Sequence, residues 1–572
     1  MPEILDIDDI KTTDIWDLFE KGRDYHRRTN VYSDTDLNYR MYNGNQWEGA
    51  IIDGIEKAQY NFIETIVNYK VSTINSNLYA IHFSSENFEE AKFRAVAKKV
   101  CELLDKKAAK VWENDQMDTK VRDVSEDAAI NDEGIMYVWF NETTQSPVNE
   151  ILSKNDVYYG NEQSSEIQSQ PYIIVARRRS IVEVKKMAAI NGATPETLKY
   201  IVGDNDYQDQ AGDDAKYEKE PMCTYLIKLW KDENGKVWYQ PAVKYINISE
   251  AKNTNLSLYP LAHFLWKNKR GSSRGEGEVR NLIPNQLELN KTLARYLLAI
   301  KQCAYTQKVI DVNKISNPDA VNTIGGIIKI KNGAQIDDVS KIFTYIQPAS
   351  MSGDVNRVIS DLISITRELK NAGDIATGGA NPEKASGKAI LAIQQASQQP
   401  MSKQAIALKK FIEDLARIWL DMWTIYTPNG MQLEAKEIDE TTNTEYTKLV
   451  TVPSAVLKKL KGTVKIDITP DSPYDKYARE LSIENLFKNG MFNVQRLSEL
   501  KIYAQLLPDN STMPKQEILE AIKLMEEEQQ KIAQIEAQAQ IMQQRANQFI
   551  SGDAESQSQQ IMDALNQQSN MK

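Results

Sequence analysis

Apolar side chains recur every three or four residues in several stretches of the chain, and this spacing predicts amphipathic helices. The stretches are residues 60–80, 88–115, 281–303, 352–372 and 384–427. Pro284 fits only in a first helical turn, so the third of these helices should begin near Asn281. Gly373 should stop the fourth helix, and Pro400 should kink or break the fifth.

The middle of the chain carries β-branched and aromatic runs that predict strands. These runs are 134–141, 172–179 and 223–241, and the last is two strands joined across Asn234-Gly235, a strong hairpin signal. Three shorter strand candidates, "QKVID", "GIIKIK" and "KIFTYI", occupy 307–346, and 449–470 also favours β structure. Residues 203–220 are acidic and predict a surface loop.

From about residue 480 the pattern is helical again, and after residue 525 the chain is rich in Gln and Ala. A seam typical of coiled coils runs through Ile532, Ile535, Ala539, Met542, Ala546 and Phe549. Residues 551–572 are polar and predict disorder. Helical and β-rich stretches together predict an α+β fold with two to four packed regions.

Charge and cysteine content narrow the classes of function. The 572 residues include 80 acidic and 69 basic side chains, for a net charge of −11, so the chain as a whole should repel a polyanion at long range. Tight binding to DNA is therefore not expected, although this net charge is compatible with a position close to DNA. No apolar run approaches the ~20 residues of a membrane span. The acidic start does not resemble a signal peptide, and three distant cysteines fit a reducing cytoplasm.

The stretch "GDIATGGANPEKASGKAILAIQQAS" (373–397) resembles a phosphate-binding loop only superficially. Gly387 and Lys388 supply half of that motif, but Pro382 stands where the first glycine belongs and Ala389 replaces the hydroxyl residue that binds magnesium. The preceding element is also predicted to be a helix instead of a strand. These departures exclude a nucleotide site of this type.

What remains at 373–383 is a glycine-rich loop between two amphipathic helices. Glycines admit many backbone conformations, so the loop should be mobile. It is either an ordinary connection or a functional loop, since extra length in a compact protein often marks function. Residue type alone leaves both readings open.

Candidate catalytic chemistry is sparse. His26, His82 and His263 are scattered and not at ligand spacings, and there is no Cys-x-x-Cys pair or serine elbow. Adjacent carboxylates lie in contexts typical of a solvated face. We therefore expect no enzyme activity, no metal and no cofactor.

Several stretches, taken in order, resemble the portal proteins of tailed bacteriophages. "YRMYNGNQW" (39–47) looks like the aromatic-Gly-x-Gln-Trp turn of that family, and "NFIETIVNYKVSTINSN" (61–77) resembles the helix after it. The stretch 259–297, "YPLAHFLWKN…GEGEVRNLIPNQLELNKTLARYL", is similar to the strand and asparagine-rich helix of the portal centre. None of these motifs is catalytic, and the resemblance rests on their order over about residues 35–430.

The resemblance implies a portal-type architecture. Its parts would be an N-terminal wing (1–280), a stem helix (281–304), a clip (305–350), a second stem helix (351–372), a tunnel loop (373–383), a long kinked helix with the rest of the wing (384–480), a helical crown (481–550) and a disordered tail (551–572).

The implied function is a ring, dodecameric in the family, that forms a DNA channel at one capsid vertex of the virion. Such a protein is made in the cytoplasm of the bacterial host and is not membrane-bound. The implied partners are double-stranded DNA, the terminase large subunit, major capsid and scaffold proteins, and head–tail adaptor or neck proteins.

The resemblance also assigns residues to these parts. The DNA-channel residues of the tunnel loop would be Gly373, Gly378, Gly379, Asn381, Lys384 and Lys388. The stem residues would be Lys291, Arg295, Arg367 and Lys370, and the clip docking surface would comprise Asn313, Lys314 and Asn332.

Three other readings stay open at this level. A scaffold or head–tail adaptor is also structural and acidic, but scaffolds are mostly helical and adaptors are usually shorter. A DNA-packaging ATPase would need the intact phosphate loop that 373–397 lacks. A multidomain protein of another role is the general alternative.

Overall fold

The structure is a computed structural model. It describes residues 11–49, 56–76, 78–84, 91–204, 221–304, 308–323, 325–331, 341–346, 354–370, 399–438, 445–463, 465–471 and parts of 482–563. Contacts divide the chain into two units, Met1–Thr469 and Pro470–Lys572. The predicted acidic loop lies outside the described residues from residue 205 to its end, as does the glycine-rich loop.

The helices of the described chain follow the apolar spacing of the sequence. They are α1 (Asp14–Arg28), α2 (Val31–Tyr42), α3 (Phe62–Ile74), α4 (Ala91–Asn114), α5 (Met117–Ile130), α6 (Ile181–Ile190), α7 (Ile283–Ala304), α8 (Asp354–Leu369), α9 (Ser402–Tyr426), α10 (Ser454–Thr463) and α11 (Leu497–Leu506). Pro284 is the second residue of α7, as its missing N–H predicts. Pro400 lies in a short 3-10 turn directly before α9.

The strands that the structure describes form five separate sheets. They are β1 (Leu78–Ser84), β2 (Glu133–Asn141), β3 (Ser146–Leu152), β4 (Val157–Tyr159), β5 (Tyr172–Ser180), β6 (Met222–Lys231), β7 (Val237–Ala242), β8 (Lys252–Asn253), β9 (Leu261–Leu265), β10 (Lys308–Ile310), β11 (Phe343–Tyr345), β12 (Met431–Ile438), β13 (Glu445–Val452) and β14 (Lys465–Asp471). Five strands pair in the order β4-β5-β6-β7-β8 and three in the order β3-β2-β9, while β1-β14, β10-β11 and β12-β13 are two-stranded.

The predicted hairpin at 223–241 is confirmed. Strands β6 and β7 pair antiparallel, and Gly235 in the turn has φ +71°, a conformation that favours glycine. Helix α1 covers one face of the five-stranded sheet, where Trp16 and Phe19 pack against Ile174 and Leu226.

The main core of the first unit is built around α9. Phe411, Trp419 and Trp423 on this helix are buried in one cluster with the three-stranded sheet and with α3 to α5. The Trp419 indole N–H donates to the side-chain oxygen of Asn149 on β3 at 2.9 Å. In the described part of 384–427, the strong apolar stripe therefore belongs to a helix that is buried in the core.

Three secondary-structure predictions were wrong in part. The helix predicted over 60–80 ends at Ile74, and β1 follows, in which the buried Ile81 and Phe83 alternate with the exposed His82 as a strand requires. The β-leaning segment 449–470 contains α10, whose Leu457 and Leu460 are buried at helical spacing. Among the described residues, the middle strand candidate of 307–346 forms no ladder and pairs through a single bridge between Ile315 and Ile330.

From residue 482 onward, the described part of the second unit, taken by itself, is mainly helical. Tyr503 of α11 packs with Ile483, Phe487 and Ile518, and the Lys501 ammonium lies 3.0 Å from the Glu526 carboxylate. Of the predicted coiled-coil seam, Ile532, Ile535 and Ala539 are exposed, and the other three positions lie outside the described residues.

Candidate functional site

The first part of the site is a network of buried side-chain amides at the start of α7. Gln286 donates to the Asn290 side chain at 2.9 Å and to the Tyr60 carbonyl at 2.7 Å. Asn290 donates to the side-chain oxygen of Gln46, and Gln46 donates to that of Asn61 at 3.0 Å. Because Gln46, Gln286 and Asn290 are all buried, each of these bonds replaces water that the amides would otherwise need.

This network joins three stretches that are far apart in the sequence. Gln46 belongs to the aromatic turn, Asn61 caps α3 and the other two amides lie on α7. Gly44 beside the turn has φ +82°, which explains the glycine there. The amides therefore hold α7 against the body of the first unit, and their hydrogen bonds go to other groups of the protein.

The second part of the site is the antiparallel pair of helices α7 and α8, called here the helix pair. Asn285 near the start of α7 donates to the Thr366 hydroxyl near the end of α8, at 3.2 Å. Burial along α7 falls from Leu289, which is 0% exposed, to Ile300, which is 40% exposed. The helix pair thus leaves the core as it approaches residue 304.

The outer side of α8 is apolar and exposed. Ile365 is 53% exposed and Leu369 is 73% exposed, although both belong to the stripe that predicted this helix. Val358 of the same stripe is also exposed. An amphipathic stripe that a single chain leaves open is typical of a surface that a partner covers.

An ion cluster fixes the base of the helix pair. The ammonium groups of Lys70 on α3 and Lys370 after α8 lie 2.9 and 3.2 Å from the same carboxylate oxygen of Glu278. The Trp266 indole N–H donates to the other oxygen at 3.4 Å. Burial opposes ionisation, but Lys70 and Lys370 hold the pKa of the Glu278 carboxyl below its usual value.

Beyond the helix pair lies a small segment, called here the tip, which comprises the described residues of 308–346. Strands β10 and β11 pair antiparallel, with Lys308 opposite Tyr345. Asn317 ties the tip together, since its side chain donates to the Ile327 carbonyl at 2.8 Å and accepts from the Lys329 N–H at 2.6 Å. Sequence reasoning did not single out Asn317.

The tip exposes apolar and basic side chains. Its described residues include the exposed apolar side chains of Val309, Val312, Ile327, Ile330, Tyr345 and Ile346. The sequence of the whole segment 308–346 has five lysines and four aspartates, in a chain whose net charge is −11. The tip is therefore an apolar surface with nearly balanced charge on an acidic protein.

A buried charge cluster surrounds Arg274, which lies in the loop that precedes α7. The Arg274 guanidinium donates to the Glu133 carboxylate, to the Val157 carbonyl at 2.9 Å and to Nε2 of His26 at 2.8 Å. Glu162 lies 3.7 Å from the Nε of Arg274. Burial, reinforced by Arg274, lowers the pKa of His26 to about 4, so this imidazole is a neutral acceptor at pH 7.

Two glycines allow this loop to approach the body. A Cβ on Gly275 would lie 2.8 Å from the Lys267 carbonyl oxygen, and one on Gly277 would lie 2.9 Å from that of Ile130. Both distances are shorter than a Cβ atom tolerates, so glycine is required at these two positions after Arg274 for steric reasons. The motif R-G-E-G-E could have signalled this packed loop.

Two searches bear on other chemistry within the described part of the chain. No group of three or more His, Cys, Asp or Glu side chains there is arranged to hold a metal ion. None of the helices described combines the length and the apolar character that a bilayer span needs. Burial raises the pKa of Cys101 to about 12 and that of Cys223 to about 11, so neither thiol is activated.

Comparison with known families decides the class of this architecture. The family model described as phage P22-like portal protein matches residues 182–570, well over half of the chain. The chain belongs to the P22-like phage portal protein family. No curated protein matches it. The resemblance to tailed-phage portal proteins is thus confirmed, and the family is one of structural proteins.

The portal family match includes the helix pair, the tip, the Arg274 loop and α9. It does not include 39–47 or 61–77, so the resemblance of those two stretches stays a prediction. The amide network nevertheless connects Gln46 and Asn61 of those stretches to Gln286 and Asn290 inside the matched region.

The predicted stem residues fall into two groups. Lys291 and Arg295 are exposed and lie one turn apart on the same face of α7. Arg367 is half-buried on α8, and the Lys370 ammonium is paired with Glu278. The charge of Lys370 therefore has a structural partner within the chain.

The predicted clip and tunnel-loop residues are described only in part. Asn313 is exposed in the tip, and its N–H donates to the Asp311 carboxylate at 3.0 Å, while the Lys314 ammonium lies 3.8 Å from the same carboxylate. Asn332 lies outside the described residues. So do the predicted tunnel-loop residues Gly373, Gly378, Gly379, Asn381, Lys384 and Lys388.

Proposed function

We propose that this portal-family protein assembles into a ring, dodecameric as the resemblance implies, whose channel passes double-stranded DNA at one vertex of the capsid. The observation that carries the proposal is the exposed apolar stripe on α8, at Val358, Ile365 and Leu369. A ring gives every copy the same neighbour, so one apolar face per copy is covered all around the assembly.

The helix pair is proposed to be the stem and the tip to be the clip. Asn285, Thr366 and the Glu278 cluster brace the two helices at their base, which suits a wall that carries load. The same reasoning assigns the wing to the sheets and helices before α7 and to α9 through β14, and the crown to the helical second unit.

The apolar tip is proposed to be where the terminase large subunit docks during packaging and where head–tail adaptor or neck proteins dock afterwards. Its exposed apolar side chains favour a partner that covers them with an apolar surface of its own. The broader faces of the ring are proposed to contact major capsid and scaffold proteins in the virion.

The charge of the chain supports passage of DNA instead of retention by tight binding. A net charge of −11 and isolated exposed cations such as Lys291 and Arg295 avoid a continuous basic surface, and many phosphate contacts would slow sliding. We propose that Lys384 and Lys388, beside the glycine-rich loop, make the transient DNA contacts.

The double variant Lys384→Ala/Lys388→Ala should slow DNA packaging or weaken DNA retention, because two phosphate contacts per subunit are lost around the ring. The measurement is the amount of DNA per particle over time in a packaging reaction. A matched control is Lys458→Ala/Lys459→Ala on α10, which should package as the parent does. Normal genome content in the first variant would refute the assignment of these two lysines.

The ring itself is tested by the mass of the purified protein in light scattering. We expect a multiple of the 65.1 kDa chain mass that corresponds to a closed ring. Variants at His263, described in the next subsection, then test one contact that would hold the ring together.

A further inference from the structure

Strand β9 is the last strand of the β3-β2-β9 sheet, so one of its edges is open within the described chain. The Trp266 N–H donates to the Asp132 carbonyl and the Val138 N–H to the Pro260 carbonyl, both at 2.9 Å. Antiparallel residues alternate between bonded and non-bonded pairs, so positions of this parity bond to β2. The backbone N–H and C=O groups of Leu261, His263 and Leu265 therefore point away from the sheet.

These groups line a groove of about 620 Å³. Its other walls are one face of α9, which includes Lys403, Ala407 and Lys410, and the segment 165–168. Leu261 is 1% exposed, and Nε2 of His263 is buried without a hydrogen-bond partner. The outward backbone groups of this edge can bond either to water or to an added strand, so the edge is available to an occupant with its own backbone donors and acceptors.

The shape of the groove suits an extended peptide. A partner strand that covers the five residues of β9 would be about 17 Å long. Adding a strand to an open sheet edge is a general mode of recognition, in which backbone hydrogen bonds give the affinity.

The same chain carries a matching donor strand. Strands β12 and β13 pair with each other over eight positions, and the described residues give them no further strand neighbour. A two-stranded hairpin is marginally stable by itself. Helix α4 contacts β12, whereas the described residues show no comparable helix contact with β13, so β13 is the more accessible strand of the hairpin. Segment 431–452 has five acidic and two basic residues, whereas three lysines and two acidic residues line the groove.

The hairpin of one chain starts far from its own groove. The groove lies along the first half of α9, at residues 403–414, and the hairpin begins at Met431 beyond the other end of that helix. At 1.5 Å per residue, Ala407 and Tyr426 are roughly 28 Å apart along the axis. A second copy is therefore the better source of the strand.

We propose that β13 of one copy adds to the open edge of β9 on the next copy. The two surfaces differ, so the contact is head-to-tail, and such contacts generate rings when the rotation closes. The inference rests on the proposed ring and names the backbone contact that joins neighbouring subunits.

The test compares His263→Pro with His263→Ala in the full-length protein. Proline is tolerated on an edge strand where the lost N–H faces outward, so the proline variant should fold like its parent, but it cannot pair with an added strand. It should raise the protein concentration for half-maximal assembly by about tenfold or more. His263→Ala removes only the imidazole and should assemble as the parent does.

The outcomes separate this inference from the proposed function. A parent that assembles, with the proline variant assembling equally well, would overturn the strand contact and leave the ring intact. A parent that never assembles would overturn both.

A second measurement does not depend on tolerance of proline. Pairing His263→Cys with single cysteines at positions 445–452 should yield disulfide-linked ladders longer than dimers under oxidising conditions. Absence of cross-links at all of these positions, in protein shown to be assembled, would contradict the contact.

Discussion

Replacing Arg274 with methionine should lower the free energy of unfolding of the first unit by about 3–5 kcal/mol. The guanidinium is buried, and its removal leaves the Glu133 carboxylate without its cationic partner inside the protein. His26 and the Val157 carbonyl would lose their donor as well. The measurement is urea unfolding followed by tryptophan fluorescence, because all nine tryptophans lie within Met1–Thr469.

A matched control for this variant is Arg280→Ala, six residues away. The Arg280 side chain is 67% exposed and pairs with Asp34 at 2.9 Å, so its loss should cost less than about 1 kcal/mol. The double variant Arg274→Met/Glu133→Gln should recover part of the loss, since the unpaired charge is gone. If Arg274→Met unfolds like Arg280→Ala, the buried cluster does not stabilise the fold as inferred.

The second large effect is expected for Glu278→Gln. This substitution keeps the shape of the side chain but removes the charge that faces Lys70 and Lys370, so the buried Lys70 ammonium loses its counter-ion. We expect a loss of about 3 kcal/mol in the same unfolding measurement. Glu276→Gln is the control, because Glu276 pairs with Lys267 at a more exposed position and should cost less than about 1 kcal/mol.

A local readout shows whether the Glu278 cluster fixes the end of α8. In Lys370→Met, the Lys70–Glu278 pair stays, but the end of α8 loses the ion pair that joins it to Glu278, while the Asn285–Thr366 hydrogen bond remains. Hydrogen exchange should therefore rise in the last turn of α8 and not in α3. Equal exchange in both helices, or no change in α8, would show that Lys370 does not anchor this end.

Helices were the part of the fold that the sequence predicted best, because a buried stripe repeats within a few residues. Pro284 even set the start of α7 correctly to within two residues. The junction after Ile74 was missed although the polar residues 75–77 interrupt the apolar pattern there, because the prediction carried the helical period on to the residues that form β1 from Leu78. In α10 the β-branched neighbours masked the helical spacing of Leu457 and Leu460.

Polar structural residues were beyond reach from the sequence. Gln46, Gln286 and Asn290 read as ordinary surface amides until the fold brings residues more than two hundred positions apart together. Arg274 likewise reads as an exposed cation, and its burial depends on Glu133, Glu162 and His26 from three other segments. The glycines around it were the single local sign of close approach.

The site was predicted at the level of family and not of geometry. Lys370 illustrates the difference, since the sequence marks a cation beside the glycine-rich loop and the fold pairs it with Glu278. The exposure of Ile365 and Leu369 also could not be read from their spacing, because a stripe has the same pattern whether a chain covers it alone or with a neighbour.

The central claim is that this portal-family chain forms a ring around a DNA channel. Negative-stain electron microscopy of the purified full-length protein tests it most directly. The proposal predicts rotationally symmetric rings with a central opening wide enough for duplex DNA. Particles that lack rotational symmetry and a central opening, in protein that hydrolyses ATP, would contradict it.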